Sequence, residues 1–221
     1  MTTIEAIQKR HSVRRYTGQS VENAVLEALQ AEVAACNVES GMNTRLVIDD
    51  PETLNGFLAK RMFPGAKNYI VLVGNESASL EEKAGYFGER IVLKAQQLRL
   101  NTCWAAMLSK KAYAAKLGKD ESIAIIIPFG YGVTPGVSRK TKPMEALCKT
   151  DGDMPDWFRS GMEAAMLAPT ARNQQKFLFT LQGGKVKAES TGGSLSKIDL
   201  GIVKYHFEIG AGAENFTWAD T

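Results

Sequence analysis

Arg10-His11-Ser12-Val13-Arg14-Arg15-Tyr16 is the stretch of this sequence that says most about the fold. Arg10, Ser12 and Arg14 occupy alternate positions, and alternate side chains of an extended segment point to the same side. These three side chains could therefore meet at one anion, because a guanidinium group offers a planar pair of donors that suits phosphate oxygens. Taken alone, the stretch is more readily explained as a solvated basic turn, so the rest of the chain has to decide.

Composition excludes several classes of function. The 221 residues are 44% hydrophobic, enough to build the core of one domain or of two closely packed halves. The net charge of +3 comes from 27 basic and 24 acidic residues spread along the chain, which disfavours a nucleic-acid partner. No apolar run predicts a signal sequence or a membrane span. Three distant cysteines and two histidines predict neither a disulfide framework nor a metal site, so we expect a soluble cytoplasmic protein.

Hydrophobic periodicity predicts a mixture of helices and strands. Thr2 and Glu5 have the spacing of a capping box, which would start a helix that ends near Arg10. Further helices are expected from Ser20, from Asp50-Pro51, over about 79–100, after Ser109, over 155–167, and over 198–209 with a cap formed by Ser196 and Asp199. Strands are expected over 69–73, over 123–128 with Pro128 as its end, and as a hairpin of 177–181 and 185–189 turning at Gly183-Gly184.

The second part of the chain repeats the order of elements in the first. Residues 133–155 are rich in proline and glycine and are expected to be a crossing segment rather than a core element. On either side of it, a helix, an asparagine-bearing loop, a strand and a helix lead to Asn-x-x-Trp, at 101–104 and at 215–218. Chance remains the alternative. A true repeat would make 1–221 a single domain of two half-repeats, about 1–140 and 150–221, related like the subunits of a homodimer.

Four stretches together resemble the FMN-dependent nitroreductases. Arg10–Arg14 is similar to their phosphate-binding motif, and the segment 168–175 (Ala-Pro-Thr-Ala-Arg-Asn-Gln-Gln) is similar to their Ala-Pro-Ser-x-x-Asn-x-Gln loop. Weaker similarities cover 100–104 and 127–145. The family places the Pro-Ser-x-x-Asn loop early, whereas here the good copy lies in the second half. The resemblance implies an α+β nitroreductase-like fold, with a mixed sheet surrounded by helices and two degenerate repeats forming a pseudo-dimer in one chain.

The resemblance also implies a set of cofactor-binding residues. Arg10, Ser12 and Arg14 would bind the FMN phosphate, with Arg139 and Lys140 closing the other side and His11 positioning the loop. The flavin ring would be held by the second-half loop and by the segment after the long helix, through Pro169, Thr170, Ala171, Asn173, Gln175, Trp104 and Ala106. Because flavin N5 carries the chemistry, the resemblance implies no catalytic side chain and no metal.

The function implied is an FMN-dependent NAD(P)H oxidoreductase that reduces nitroaromatic, quinone or flavin-type acceptors by ping-pong hydride transfer. Its partner would be a small-molecule electron acceptor, and the pseudo-dimer could be a monomer with one FMN per chain. Departures from the family pattern include Lys176-Phe177 in place of Pro-Trp and the absence of glycine at 99–101 and 105–107. These leave two alternatives open: a degenerate flavin-binding protein without reductase activity, and a small anion- or nucleic-acid-binding protein.

Overall fold

The chain forms two compact units in the computed structural model, which describes residues 1–50, 54, 56–106, 108, 113 and 117–219. The first unit comprises 9–80 and 90–138, and the second comprises 1–8, 81–89 and 139–221. Both contain helices and strands, so the predicted α+β class is confirmed.

Six α-helices lie in the described part of the chain. They are α1 (Thr3–Lys9), α2 (Asn23–Ser40), α3 (Phe57–Met62), α4 (Leu80–Gln97), α5 (Asp156–Met166) and α6 (Ser196–Ala211). The predicted capping box is present: the Thr2 N–H donates to Glu5 Oε2 (2.7 Å), and the Glu5 N–H donates to Thr2 Oγ1 (3.2 Å). The start predicted at Ser20 is wrong, because α2 begins three residues later behind Glu22, with no side-chain cap.

The sheet of the first unit is antiparallel throughout. Its strands are β1 (Arg45–Val47), β2 (Asn68–Asn75), β3 (Asn101–Thr102) and β4 (Glu121–Gly130), in the order β1-β2-β4-β3. Pro128 was expected to end its strand, but β4 continues to Gly130. Proline removes only a donor, and the Pro128 carbonyl still accepts from the Cys103 N–H (3.2 Å), so the pairing persists.

The second unit holds the mixed sheet. Its strands are β5 (Cys148–Thr150), β6 (Phe177–Gln182), β7 (Lys185–Ser190) and β8 (Thr217–Trp218). The order is β5-β6-β7-β8, with β6 and β7 antiparallel and both edge strands parallel to their neighbours. The hairpin at Gly183-Gly184 is confirmed, with φ of 56° and 76°. Two predictions need correction: the described chain has two sheets rather than one, and the crossing segment supplies β5 to a sheet.

The helices of the second unit pack at close range. A Cβ at Gly85 of α4 would lie 2.1 Å from the Ile198 carbonyl oxygen, and one at Gly201 of α6 would lie 2.0 Å from the Glu82 carbonyl oxygen. His206 of α6 is fully buried, with Nδ1 3.0 Å from the Ala164 carbonyl oxygen and Nε2 2.9 Å from Glu89 Oε1. Because a carbonyl only accepts, Nδ1 carries a proton.

Two further helix predictions differ from the structure. Asp199 does not cap α6, because its carboxylate accepts from the Ala171 N–H instead. The apolar stripe expected along the third helix is only partly buried, since Phe57 is 83% exposed and Leu58 46% exposed. The opening of that helix at Pro51 and the helix expected after Ser109 lie outside the described residues.

Candidate functional site

The basic stretch of the first unit is an extended segment tied to the ends of two strands. The Val13 N–H donates to the Thr102 carbonyl at the end of β3 (3.0 Å), and the Val133 N–H donates to the Arg15 carbonyl (2.9 Å). The Tyr16 hydroxyl lies 2.8 Å from the Val13 carbonyl oxygen and 3.1 Å from that of Pro128. Burial holds the pKa of Tyr16 well above its usual value, so the hydroxyl stays a donor. The segment is therefore anchored by its backbone and by the Tyr16 hydroxyl.

Two glycines let neighbouring backbone approach this segment. Gly136, with φ 85°, faces His11, and a Cβ there would lie 2.6 Å from the Cβ of His11. Gly65, with φ 80°, lies against the Tyr16 carbonyl, which a Cβ would approach to 2.0 Å. Both positions tolerate only glycine, first because of the left-handed backbone and second because of the close contact. The sequence alone indicates both glycines only as breaks between elements.

The Cys103 thiol interacts with all three alternating polar residues. Burial raises the pKa of Cys103, and the Arg14 and Arg10 guanidinium groups and a hydrogen bond with Ser12 lower it. Arg10 is buried, Ser12 half-buried and Arg14 exposed. The thiol thus interacts with two cations and a hydroxyl, while the meeting of these three side chains at one anion stays a prediction. Sequence reasoning missed Cys103, because only the hydrogen bond between Val13 and Thr102 in the folded chain brings it to these residues.

The other predicted residues of the first unit lie close to Arg10, Ser12 and Cys103 along the chain. His11 is half-buried beside Gly136, which agrees with a positioning contact. The Trp104 carbonyl accepts from the Cys103 thiol at 3.6 Å. Ala106 is exposed and follows Ala105, whose N–H donates to Ile126 of β4 (3.1 Å).

The loop between α5 and β6 in the second unit has an unusual backbone. Pro169 is buried, and residues 171–173 form one turn of 3-10 helix. Arg172, Asn173 and Gln175 have φ of 52°, 54° and 47°, a region that residues other than glycine seldom adopt. Strain of this kind persists where surrounding contacts enforce it, and it is common at binding sites.

Gln175 makes several of those contacts, because both polar atoms of its side chain form hydrogen bonds within the protein. It is 4% exposed. Its Oε1 accepts from the Lys142 N–H (2.8 Å), and its Nε2 donates to the Lys140 carbonyl (3.1 Å). The Gln175 N–H donates to Thr170 Oγ1 (3.0 Å), which closes the loop on itself. Gln175 thus shapes the loop and ties it to the segment 140–142.

Asp199, in the first turn of α6, binds the same loop. Its two oxygens accept from the Ala171 N–H at 2.9 and 3.1 Å, and Oδ2 accepts from Gln174 Nε2 at 2.7 Å. Burial raises the pKa of the Asp199 carboxyl, and the hydrogen bonds from Gln174 and Ala171 lower it. Sequence reasoning had assigned this residue to a helix cap.

The Arg139 side chain and the Lys140 carbonyl form hydrogen bonds with the loop and with the end of α5. Arg139 Nη2 donates to the Ala168 carbonyl (2.6 Å) and to the Met166 carbonyl (3.4 Å), at the end of α5. The Lys140 carbonyl accepts from Asn173 Nδ2 (2.9 Å), while its side chain is exposed. A phosphate role for these two residues stays a prediction.

The loop presents one donor and one acceptor for a ligand. Thr170 Oγ1 already accepts the Gln175 N–H, so its hydroxyl proton remains to be donated. Asn173 Oδ1 is buried and has no hydrogen-bond partner among the described residues. A buried acceptor of this kind indicates a missing N–H or O–H donor.

A family model described as "Putative TM nitroreductase" matches residues 2–211. The chain belongs to this nitroreductase family. The recognition made from the residues is therefore confirmed.

Solved structures agree with that assignment at the level of the fold. A "putative nitroreductase" from Thermotoga maritima superimposes with a TM-score of 0.70 at 24% identity, covering 97% of this chain and 85% of that one. A "putative nitroreductase in complex with FMN" from Desulfovibrio desulfuricans gives 0.56 at 20% identity, covering 66% and 95%. A "Putative NADH dehydrogenase/NAD(P)H nitroreductase" from Parabacteroides distasonis gives 0.54 at 20%, also covering 66% and 95%. None of the curated proteins matches this nitroreductase-family chain.

Two kinds of feature are missing from the described residues. None of their helices combines the length and the apolar character needed to cross a membrane. Nor do three histidine, cysteine, aspartate or glutamate side chains of the described ranges come together as a metal site.

Proposed function

We propose that this nitroreductase-family chain is an FMN-dependent NAD(P)H oxidoreductase that reduces nitroaromatic, quinone or flavin-type acceptors. Family membership supports an oxidoreductase, and the names of the Desulfovibrio and Parabacteroides proteins support FMN and NAD(P)H. The observation that carries the proposal is the extended, backbone-anchored segment that bears Arg10, Ser12 and Arg14, all three of which interact with the Cys103 thiol.

These three residues would bind the FMN phosphate. Two guanidinium groups and a hydroxyl form a donor set without a carboxylate, which suits a dianion. The Tyr16, Val13 and Val133 hydrogen bonds hold the backbone of the segment, so its donors are placed before the phosphate arrives. Preorganisation of this kind lowers the entropy cost of binding.

The loop of the second unit fits the polar edge of a flavin ring. That edge carries both an N–H group and hydrogen-bond acceptors. Asn173 Oδ1 supplies an unpartnered acceptor, and Thr170 supplies a hydroxyl proton. Buried Pro169, half-buried Ala171 and buried Gln175 shape the segment around them. Hydrogen bonds to the ring are the means by which proteins adjust flavin chemistry.

Bound FMN would supply ping-pong hydride transfer at N5, from NAD(P)H to the acceptor. The tasks of the chain's own residues are then to bind the phosphate, orient the ring and leave N5 accessible. No protein acid or base is required, which fits the shortage of histidines.

We also propose that the chain is a pseudo-dimer of two half-repeats. The order α2, β1, β2, α4, β3 recurs as α5, β6, β7, α6, β8, and among the described helices and strands α1, α3, β4 and β5 have no counterpart. The three cysteines are buried, and the described residues contain no disulfide, which supports a reducing, cytoplasmic location.

The test begins with the colour of the protein. The purified protein should be yellow or take up added FMN. Arg14→Gln should weaken FMN binding by roughly 10- to 100-fold, because a charge-assisted hydrogen bond contributes about 1.5–3 kcal/mol. Arg15→Gln is the matched control: Arg15 is the adjacent, equally exposed arginine, and outside the predicted site. A colourless protein that takes up no FMN would overturn the proposal.

Turnover separates the proposal from its alternatives. A working reductase oxidises NADH or NADPH when a nitroaromatic or quinone is present. Bound FMN without turnover would establish the degenerate flavin-binding protein instead. Salt-dependent binding to nucleic acid without flavin would establish the third possibility.

A further inference from the structure

The segment Thr170–Gln175 needs an anchor to keep its backbone conformation. Arg172, Asn173 and Gln175 all have left-handed φ angles, in a stretch without a glycine. Such a run relaxes to ordinary backbone unless surrounding contacts hold it. Gln175 holds its carboxy-terminal end through the segment 140–142. The amino-terminal end, at Ala171, is held by a different group.

That group is the buried carboxylate of Asp199. Both of its oxygens accept from the Ala171 N–H, and Oδ2 also accepts from Gln174 Nε2. Gln174 Nε2 donates as well to the Ser194 carbonyl (2.8 Å), which fixes the orientation of the amide. Asp199 is 6% exposed and therefore gives up much of its hydration for these contacts.

We propose that Asp199 is a positioning residue for flavin binding, an inference that rests on the proposed function. The residue that it anchors, Ala171, lies between Thr170 and Asn173, the two residues with an uncommitted donor and acceptor. By fixing Ala171 and Gln174, Asp199 sets the direction of the Thr170 hydroxyl and of Asn173 Oδ1. It acts on the flavin through the loop and does not touch it.

Only a carboxylate satisfies this arrangement. Both facing groups are donors, an N–H and an NH₂, so both oxygens have to accept. In either orientation, an asparagine would place its NH₂ group against one of these two donors, Gln174 Nε2 or the Ala171 N–H. The Gln174 amide cannot turn over without placing its own oxygen against the Ser194 carbonyl. Asp199→Asn is therefore a nearly isosteric change that breaks one specific contact.

The experiment compares Asp199→Asn with Asp156→Asn. Asp156 is an exposed aspartate in the first turn of α5, so the two variants share their chemistry and their place in a helix. FMN affinity is measured by quenching of flavin fluorescence, and the visible circular dichroism of bound FMN is recorded at saturation. We expect Asp199→Asn to weaken binding about tenfold or more and to change the visible spectrum. Asp156→Asn should do neither.

The outcomes separate this inference from the proposed function. If the unmodified protein binds no FMN, the proposed function fails first. If the unmodified protein binds FMN and Asp199→Asn matches its affinity or its saturated spectrum, the positioning role is overturned. Gln174→Ala removes the side-chain contact while Asp199 stays in place, and it decides the question should Asp199→Asn fail to fold. It should shift affinity and spectrum in the same direction, and an unchanged protein would again overturn the proposal.

Discussion

At the scale of single residues, the Arg10–Tyr16 segment depends on one hydroxyl. Tyr16 is 5% exposed, and its hydroxyl contacts the Val13 and Pro128 carbonyls, one within the segment and one on β4. The segment owes its placement to a residue that sequence reasoning passed over.

Tyr16→Phe should lower the free energy of unfolding by about 1–3 kcal/mol, because the hydrogen bonding of the buried hydroxyl to the Val13 and Pro128 carbonyls is lost. Urea unfolding followed by circular dichroism measures the change. Tyr131→Phe serves as control, since the Tyr131 hydroxyl has no hydrogen bond within the described residues. Equal stability of the two variants would show that the Tyr16 hydroxyl contributes nothing.

Asp199 predicts a dependence of stability on pH. Burial raises its pKa in the folded protein, so the folded state holds this proton to higher pH than the unfolded chain does. Its contribution is therefore fully present below the ordinary aspartate pKa of about 4 and is lost as pH rises through the raised value. Between pH 4 and 7, the unfolding free energy of the unmodified protein should fall relative to that of Asp199→Asn. A constant difference would contradict the shift.

At the scale of elements, the contact between α4 and α6 in the second unit is set by glycine. Gly85 and Gly201 let the backbones approach so closely that any side chain would overlap a carbonyl. Around this contact, Lys204 Nζ pairs with Glu82 (2.6 Å) and Tyr86 donates to Glu208. The glycines define the distance between the two helices, and the polar pairs help to fix their alignment along each other.

Gly201→Ala should destabilise the protein by about 1–3 kcal/mol or more, although alanine favours helix, because the new Cβ would lie 2.0 Å from the Glu82 carbonyl oxygen. Thermal unfolding provides the measurement. Gly152→Ala is the control, since nothing lies within 4 Å of a Cβ there, and its effect should stay within about 0.5 kcal/mol. A tolerated Gly201→Ala would mean that the two helices can separate at little cost.

At the scale of the whole molecule, the sequence contains one copy of each half of the predicted cofactor site. Arg-x-Ser-x-Arg occurs before α2, and no equivalent precedes α5. The Pro-Thr-x-x-Asn loop occurs only after α5. The sequence therefore predicts one complete site per chain, and a titration can count the FMN molecules that bind.

A titration should reach its plateau at one FMN per chain, and a plateau at two would contradict the prediction of one complete site. FMN at 100 times its Kd stabilises the folded state by about 2.7 kcal/mol, which raises the Tm by about 5–10 °C for a chain of this size. Riboflavin has the same ring without the phosphate. It should raise the Tm less, and an equal shift would exclude a contribution from Arg10, Ser12 and Arg14.

The elements that the sequence determined by itself are those with local causes. The capping box of Thr2 and Glu5, the helix α5 and the Gly183-Gly184 hairpin depend on residues a few positions apart, so propensity and periodicity are enough to predict them. The basic stretch and the second-half loop were likewise recognisable as family motifs, because their residue order is itself the signal.

Only the tertiary structure decided the features that join distant residues. Pro128 stays inside β4 because Cys103 and Tyr16 use its carbonyl, and the segment 133–155 yields a strand because β6 offers an edge. Asp199 accepts a hydrogen bond from Ala171, 28 positions away, instead of capping its own helix. The Cys103 thiol interacts electrostatically with Arg10 and Arg14. The physical reason is the same in each case: a hydrogen bond or charge contact is decided by which groups the fold brings together, and spacing along the chain does not contain that information.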